Sequence, residues 1–328
     1  MANVQILDVR SANLAPKSAH SPDLSVAPPI LSHVNEFIGA FPGRRPSPFL
    51  GSAAIRAGLL TDHELRTNYR AVYRNVYLAN DVALTPELRA QAAWLFAGPD
   101  AVLCGVSAAA AYGTKWLDVN APAEIVRTNR HAPEGLSVHS YALAPQDIRI
   151  VDGMRVTTVA RTAFDLGRLL PHGQAVPILD ALMNKTELDP RTVWSLVEAN
   201  PGIRGVNRLR TALAQSDGGA ESPLQTQTRL LLRWTGIPGL RTRIPLYDQW
   251  GLVSTRVAMG WPRWKVAVEC DEERDDAWYR PWVHSQIAEL ESRGWSALWV
   301  TARMAFGSNN IVERVRQKLL AAHRARAS

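Results

Sequence analysis

From Phe49 onward the apolar residues recur with two periods, and each change of period marks an element. Ser52 to Ala57 reads as a short helix stopped by Gly58. Thr61 followed three residues later by Glu64 is a capping box, which predicts a second helix running to about Tyr69. Val72 to Leu78 alternates as a strand, or as a hairpin turning at Arg74-Asn75. Thr85 caps the next helix, with Pro86 at its first position and Ala90, Ala93, Trp94 and Ala97 on one face. Val102-Leu103-Cys104 predicts a strand leading into a helix of small residues, Ser107 to Gly113. Two strands follow, Ala123 to Arg127 and Leu136 to Tyr141. Ile148 to Val151 and Met154 to Thr157 form a hairpin about the turn pair Asp152-Gly153. Thr158 caps a helix to Leu170 whose inward face is Ala160, Ala163, Phe164 and Leu166, which leaves Asp165 a surface or capping role.

Residues 174–215 carry helical stripes, first Val176, Leu179, Leu182 and Met183, then Val193, Leu196 and Val197, then Leu209 and Leu213. Nothing in them points to chemistry. Ser216-Asp217-Gly218-Gly219 predicts a flexible break and a domain boundary. Beyond it a helix runs to about Thr235, with Leu224, Leu231 and Trp234 inward and Glu221 in its first turn, where a carboxylate suits the helix dipole. Strands follow at Arg243 to Tyr247, Leu252 to Gly260 and Trp264 to Asp271. Then come a helix from Pro281 to Arg293, a strand from Gly294 to Val300, a helix from about Ile311 to Ala322, and a basic tail, Arg324-Ala325-Arg326. That order predicts a sheet with helices on its faces. Residues 1–46 break every period with Ser21-Pro22-Asp23, Ala27-Pro28-Pro29 and Pro42-Gly43-Arg44-Arg45-Pro46, and read as an arm with one short helix near Ile30 to Ile38.

The third strand of the last sheet carries the candidate chemistry. Strand side chains alternate, so Glu269 and Asp271 share one face, with Val268 and Cys270 on the other. Two neighbouring carboxylates repel unless they meet a metal, a basic partner or an open groove.

Composition narrows the class. A length of 328 residues, 46% hydrophobic and 20% charged, suits a soluble protein of two or three domains. No apolar run approaches a membrane span and no leader pattern opens the chain. Cys104 and Cys270 lie far apart outside any CxxC pair, which predicts free thiols in a reducing cytoplasm and no zinc site. A net charge of +7, mostly from arginine, favours a polyanionic partner, double-stranded DNA first. Two short helices, a tight turn and a β-ribbon predict a winged helix-turn-helix. Its candidate DNA-binding residues are Arg66, Asn68 and Arg70 at and beyond the second helix, and Arg74 on the wing. Arg127 and Arg130, in the basic loop Arg127 to His131, are further candidates for phosphate contact.

Four motifs in the last third carry a resemblance. They are Ala-Glu-Ser around Glu221, the strand Arg256 to Trp261, Val-Ala-Val-Glu-x-Asp from Val266 to Asp271, and Gly294-Trp295. Together they resemble actinobacterial proteins with a restriction-endonuclease-like domain related to very-short-patch-repair endonuclease, of the PD-(D/E)XK class. The preceding region resembles the winged-helix and following domain of AbiEi-type antitoxins, so the resemblance spans roughly residues 47–322. It implies an α+β and α/β multidomain chain: an arm at 1–46, a winged helix at 47–84, a mixed α/β and helical domain at 85–216, and a helix-flanked nuclease-like sheet at 217–328. Glu221, Glu269 and Asp271 match the catalytic acidic positions, and Glu269 and Asp271 would hold Mg²⁺ if the site is active. The chain departs from the pattern at Ala258, where the family has Asp, at Ser285, another family Asp, and at Glu272-Glu273-Arg274-Asp275, where the family reads Gly-x-x-His. An alanine coordinates no metal, although Glu272, Asp275 and Asp276 could rebuild a ligand set.

Three readings follow. The first is a DNA-binding protein, an antitoxin-like regulator with a pseudo-nuclease domain, no resident cofactor and a cognate toxin or other protein as a further partner. The second is a divergent Mg²⁺-dependent DNA endonuclease. The third is a protein-interaction module without DNA binding. For Glu221, Glu269 and Asp271 the alternative to residual metal ligation is an inherited geometry, held by arginines such as Arg256 or Arg274. Trp278 and Trp282, four residues apart beside the acids, are expected to plug the old cleft.

Overall fold

The structure, a computed structural model, describes residues 47–271, 279–307 and 310–327. These residues form a mixed α/β protein with three sheets and twelve α-helices. Among the described residues no helix is long and apolar enough to cross a membrane.

The first sheet has the order β1-β3-β2, built from β1 (Phe49–Leu50), β2 (Tyr69–Tyr73) and β3 (Val76–Ala79). Two short helices lie between β1 and β2, α1 (Gly51–Arg56) and α2 (Asp62–Asn68). The capping box at Thr61 forms in full: its hydroxyl accepts from Glu64 N–H, and the Glu64 carboxylate accepts from Thr61 N–H. Asn75 turns the hairpin with a positive φ of 64°, a conformation asparagine tolerates better than most residues. Tyr73 and Val76 leave this sheet to enter the core of the next element group.

That group begins with α3 (Pro86–Ala97), β4 (Val102–Leu103) and α4 (Gly105–Ala111). β5 (Ala123–Val126), β6 (Leu136–His139), β7 (Ile148–Val151) and β8 (Met154–Thr157) complete a five-stranded sheet of order β6-β5-β4-β8-β7. Asp152 and Gly153 both have positive φ, as the predicted hairpin turn requires. Leu103, Ala123, Ile125, Leu136 and Val156 alternate onto one face and pack against Ala90, Ala93 and Ala108. Small residues on α3 and α4 let the helices lie close to the sheet.

The helix predicted after Thr158 forms as α5 (Val159–Leu169), and the predicted helical region 174–215 is three helices: α6 (His172–Thr186), α7 (Pro190–Ala199) and α8 (Val206–Gln215). Glu187 ends α6 in the left-handed conformation, and Asp189 caps α7. Leu166, Leu179, Leu182, Val193, Val197 and Leu209 close their shared core. Asp165 is buried, contrary to the expected surface role, between Arg161 (2.9 Å) and Arg168 (2.8 Å).

The expected flexible break at Ser216 to Gly219 is held on all sides. Asp217 N–H donates to Asp180 at 2.6 Å, Asn184 donates to the Gly218 carbonyl at 2.9 Å, and Thr242 donates to the Asp217 carboxylate at 3.0 Å. The sequence shows glycines there, and their cause is close packing: a side chain on Gly219 would collide with Thr242.

The last sheet, of order β12-β11-β10-β9, comprises β9 (Arg241–Tyr247), β10 (Val253–Trp261), β11 (Val266–Asp271) and β12 (Ser296–Thr301). β9, β10 and β11 run antiparallel, and β12 is parallel to β11. One face, through Met259, Val266, Val268 and Val300, packs on α9 (Pro223–Arg233) and on α12 (Asn310–Ala327), which follows α11 (Ala302–Gly307). The other face, through Val257, Ala267 and Trp295, packs on α10 (Tyr279–Ser292). Burying Val268 fully contributes about 2 kcal/mol. Trp234 is 84% exposed rather than inward, because α9 ends at Arg233 before the apolar stripe reaches it. Arg324 and Arg326 continue α12 instead of forming a tail, and Arg326 stacks over Trp264 at 5.6 Å.

Candidate functional site

Glu269 lies inside the last sheet because Val266 and Val268 on the same strand are committed to the α9 and α12 side. Alternation then turns Glu269 and Asp271 to the side of Ala267, as the spacing predicts. The register Met259↔Val268 continues to set Ala258 opposite Glu269. Ala258 N–H donates to Glu269 Oε1 at 3.0 Å, which is the sole hydrogen bond of that carboxylate among the described residues. Burial pushes the Glu269 carboxyl up to about 7, the Ala258 amide opposes this, and the nearby Glu221 carboxylate adds to it. On the other side β12 pairs Glu269 with Trp299, whose indole N–H is buried without a partner among the described residues. Asp271 stands at the end of the same strand, paired in register with Thr301.

Glu221 falls before the helix it was expected to open. Ser222 is the cap, its side chain accepting from Gln225 N–H, and the exposed Glu221 carboxylate pairs with Arg243 at 3.3 Å. Glu221 is thus close enough to Glu269 to perturb it, while its own charge is partly balanced. Among the described residues no arginine holds Glu269: Arg256 is exposed, and the Ala258 amide is the donor to the carboxylate, while Arg274, the other arginine expected there, lies outside the described residues. The rebuilding acids Glu272, Asp275 and Asp276, together with Arg274 and Trp278, lie outside the described residues. Trp282 is 45% exposed, which does not make it a buried plug, and Ser285 is exposed on α10.

The candidate DNA contacts separate into two groups. Arg66 and Asn68 at the end of α2 and Arg74 at the hairpin tip are exposed. Arg70 is committed internally: its guanidinium donates to the carbonyls of Ala79 (2.7 Å), Asn80 (3.0 Å) and Val82 and so braces the end of the hairpin. Arg127 is similarly engaged, donating to the carbonyls of Asn129 (2.8 Å) and His131 and lying over Phe96 at 5.4 Å. Arg130 is exposed and reaches Ser140 at 3.0 Å. Arg66, Asn68, Arg74 and Arg130 therefore remain presented to solvent, whereas Arg70 and Arg127 shape loops.

Sequence reasoning passed over two groups of charged or ligand-type residues. Asp180, in the helical region where nothing pointed to chemistry, and Arg229 on α9 form a buried ion pair at 2.7 Å. Cys104, Glu124 and His139 come together on the five-stranded sheet. The spacing of these three in sequence gives no cue, since strand pairing alone unites them.

Two relatives match, both uncharacterized proteins of Mycobacterium tuberculosis, from strains CDC 1551 / Oshkosh and ATCC 25618 / H37Rv. Each is 29% identical over 228 residues, covering 69% of this chain and 82% of the relative. No family model and no solved structure matches the chain.

Proposed function

We propose that this chain is a cytoplasmic DNA-binding protein whose last sheet descends from a metal-dependent nuclease and no longer cleaves. The observation that carries this reading is the pairing of Ala258 with Glu269. A second metal-holding carboxylate would project from that position, and the chain has a methyl group there. The hydrogen bond to Glu269 comes from the alanine backbone, so the side chain at this position adds no ligand atom beside the acid. The sheet order and the position of Glu221 before α9 agree with the restriction-endonuclease resemblance. The two helices and ribbon at residues 49–79 agree with a winged helix-turn-helix, with Arg66 and Asn68 on its second helix and Arg74 on its wing. The net charge of +7 supplies attraction for phosphate. The antitoxin resemblance adds a regulatory role and a cognate toxin as a protein partner.

A second reading, a divergent Mg²⁺-dependent endonuclease, is favoured by one observation. Glu269 is a half-buried carboxylate pushed up to about 7, mainly by desolvation and further by Glu221, and such a pair would gain from a divalent cation.

One assay separates these readings: labelled duplex and plasmid incubated across salt with Mg²⁺, Mn²⁺ or EDTA, read for binding and cleavage together. Salt-sensitive binding without cleavage in any metal supports the main reading. Metal-dependent cleavage abolished in Glu269→Ala establishes the second. Absence of both binding and cleavage removes DNA and leaves a protein-interaction role.

A further inference from the structure

One face of the five-stranded sheet is apolar, and the other combines the small apolar cluster of Val102, Cys104 and Val126 with a group of different chemistry. While Leu103, Ile125 and Leu136 turn to the core, the alternate positions turn Cys104, Glu124 and His139 to the opposite side. Cys104 follows β4, and its N–H donates to the Glu124 carbonyl at 3.1 Å. Glu124 sits on β5, and the parallel register Val126↔His139 brings the histidine beside it. The thiol sulfur, a carboxylate oxygen and an imidazole nitrogen all lie within 4.8 Å of one another.

The carboxylate is fixed from two directions. Val106 N–H donates to Glu124 Oε1 at 3.1 Å, and Glu124 Oε2 meets His139 Nε2 at 2.8 Å. Gly105, at a φ of +50°, makes this placement possible, because a Cβ there would lie 2.6 Å from the carboxylate. Cys104 is buried, whereas His139 and Glu124 keep partial exposure, which gives an ion a way in.

We propose that Cys104, Glu124 and His139 form a binding site for a thiophilic divalent ion, zinc foremost, with water at the fourth position. The donor set is one sulfur, one nitrogen and one oxygen. Zinc accepts that mixture, and three protein ligands plus water is one of its recurring arrangements. Magnesium and calcium prefer oxygen throughout and gain nothing from the sulfur. The ligating carboxylate already has an outer hydrogen bond, from Val106 N–H, of the kind that orients metal ligands.

A nucleophilic cysteine would need different surroundings. Burial, and then the Glu124 charge, push the Cys104 thiol well above its ordinary range, the opposite of activation. The imidazole Nε2 is engaged by Glu124, which also holds its proton affinity up. An ion entering here displaces the thiol proton and the proton shared by His139 and Glu124. It would cross-link β4, β5 and β6 at one end of the sheet. This inference is independent of the nuclease and DNA readings, which concern other residues.

The test uses the full-length chain stripped with EDTA and dialysed. Calorimetry is expected to show one zinc per chain at this site, retained in Glu269→Ala. Cys104→Ser and His139→Ala should each weaken zinc binding by more than about 100-fold, since even outer-shell losses cost about 10–100-fold. Because the chain has two cysteines, cobalt loading of the Cys270→Ser protein provides a check that leaves the site intact. A sulfur-to-cobalt charge-transfer band in that protein can arise from Cys104 alone. Absence of the band, or zinc uptake unchanged in His139→Ala, overturns the proposal.

Discussion

Asp180, fully buried, and Glu269, half-buried, are both acids on elements whose neighbouring residues are apolar, yet their surroundings differ in kind. Asp180 receives Arg229 at 2.7 Å, the Thr226 hydroxyl at 2.7 Å and the Asp217 N–H at 2.6 Å. Glu269 receives a single amide and has a second carboxylate nearby. Burial pushes both carboxyls up, but at Asp180 a full cation and two further donors oppose it. The first arrangement is self-contained and ties α6, α9 and the segment between α8 and α9 together. Among the described residues the second has no counter-charge, a condition found at sites built for something that binds. Burial of an acid therefore does not by itself mark a candidate site, whereas a desolvated acid short of compensating donors does.

The comparison is broken most severely by removing the cation from the first pair. Arg229→Ala leaves Asp180 charged, buried and short of its main partner, and should cost about 3–5 kcal/mol in urea denaturation. Arg229→Met combined with Asp180→Leu should recover most of that loss, because a well-packed apolar pair often replaces a buried ion pair at little cost. A double variant as unstable as Arg229→Ala would show that the hydrogen bonds of Asp217 and Thr226, rather than the charge, dominate at Asp180.

How legible these groups are in the sequence depends on whether the signal is local. Thr61 with Glu64, Thr85 with Pro86, and Asp152-Gly153 each act within a few residues, and each forms the cap or turn its spacing predicts. Alternation also places Glu269 on the Ala267 face without knowledge of the fold. Asp180 is missed because its partner lies 49 residues away, and it stands as one acid among Val176, Leu179 and Leu182. A carboxylate on the inward stripe was the available cue. Cys104, Glu124 and His139 are missed because β5 and β6 pair parallel across a connection that carries no motif. Trp234 and Gly219 show that periodicity and flexibility are weak guides at element ends, where one residue beyond a helix faces solvent and a glycine can serve close contact.

A smaller and pH-dependent effect sharpens the second half of the comparison. The folded-state carboxyl of Glu269 is raised from 4.5 to about 7, so protonation favours the folded chain. Its contribution is fully present below the unfolded value and is lost as pH rises through the folded one. Wild-type protein should therefore lose up to about 3 kcal/mol between about pH 4.5 and pH 7 from this residue. Glu269→Gln keeps an acceptor for Ala258 N–H and should remove that slope, so that the variant is the more stable protein at about pH 8. Identical pH profiles for the two proteins would mean that water or a cation already compensates Glu269.

The smallest effect addresses the neighbour. Glu221 is exposed and paired with Arg243 at 3.3 Å, and an exposed pair of this kind contributes about 0–1 kcal/mol. Arg243→Ala should therefore barely move the denaturation midpoint, yet it strips Glu221 of its balancing charge and should raise the Glu269 titration further. Glu221→Gln should shift that titration the opposite way, by less than half of the total displacement, because burial is the larger cause and Glu221 the smallest. Carboxyl titration followed by NMR reads both directions. Opposite shifts would establish Glu221 and Glu269 as one electrostatic unit between the segment before α9 and β11. An unmoved Glu269 in both variants would reduce it to a lone buried acid and remove the paired-carboxylate argument for a cation.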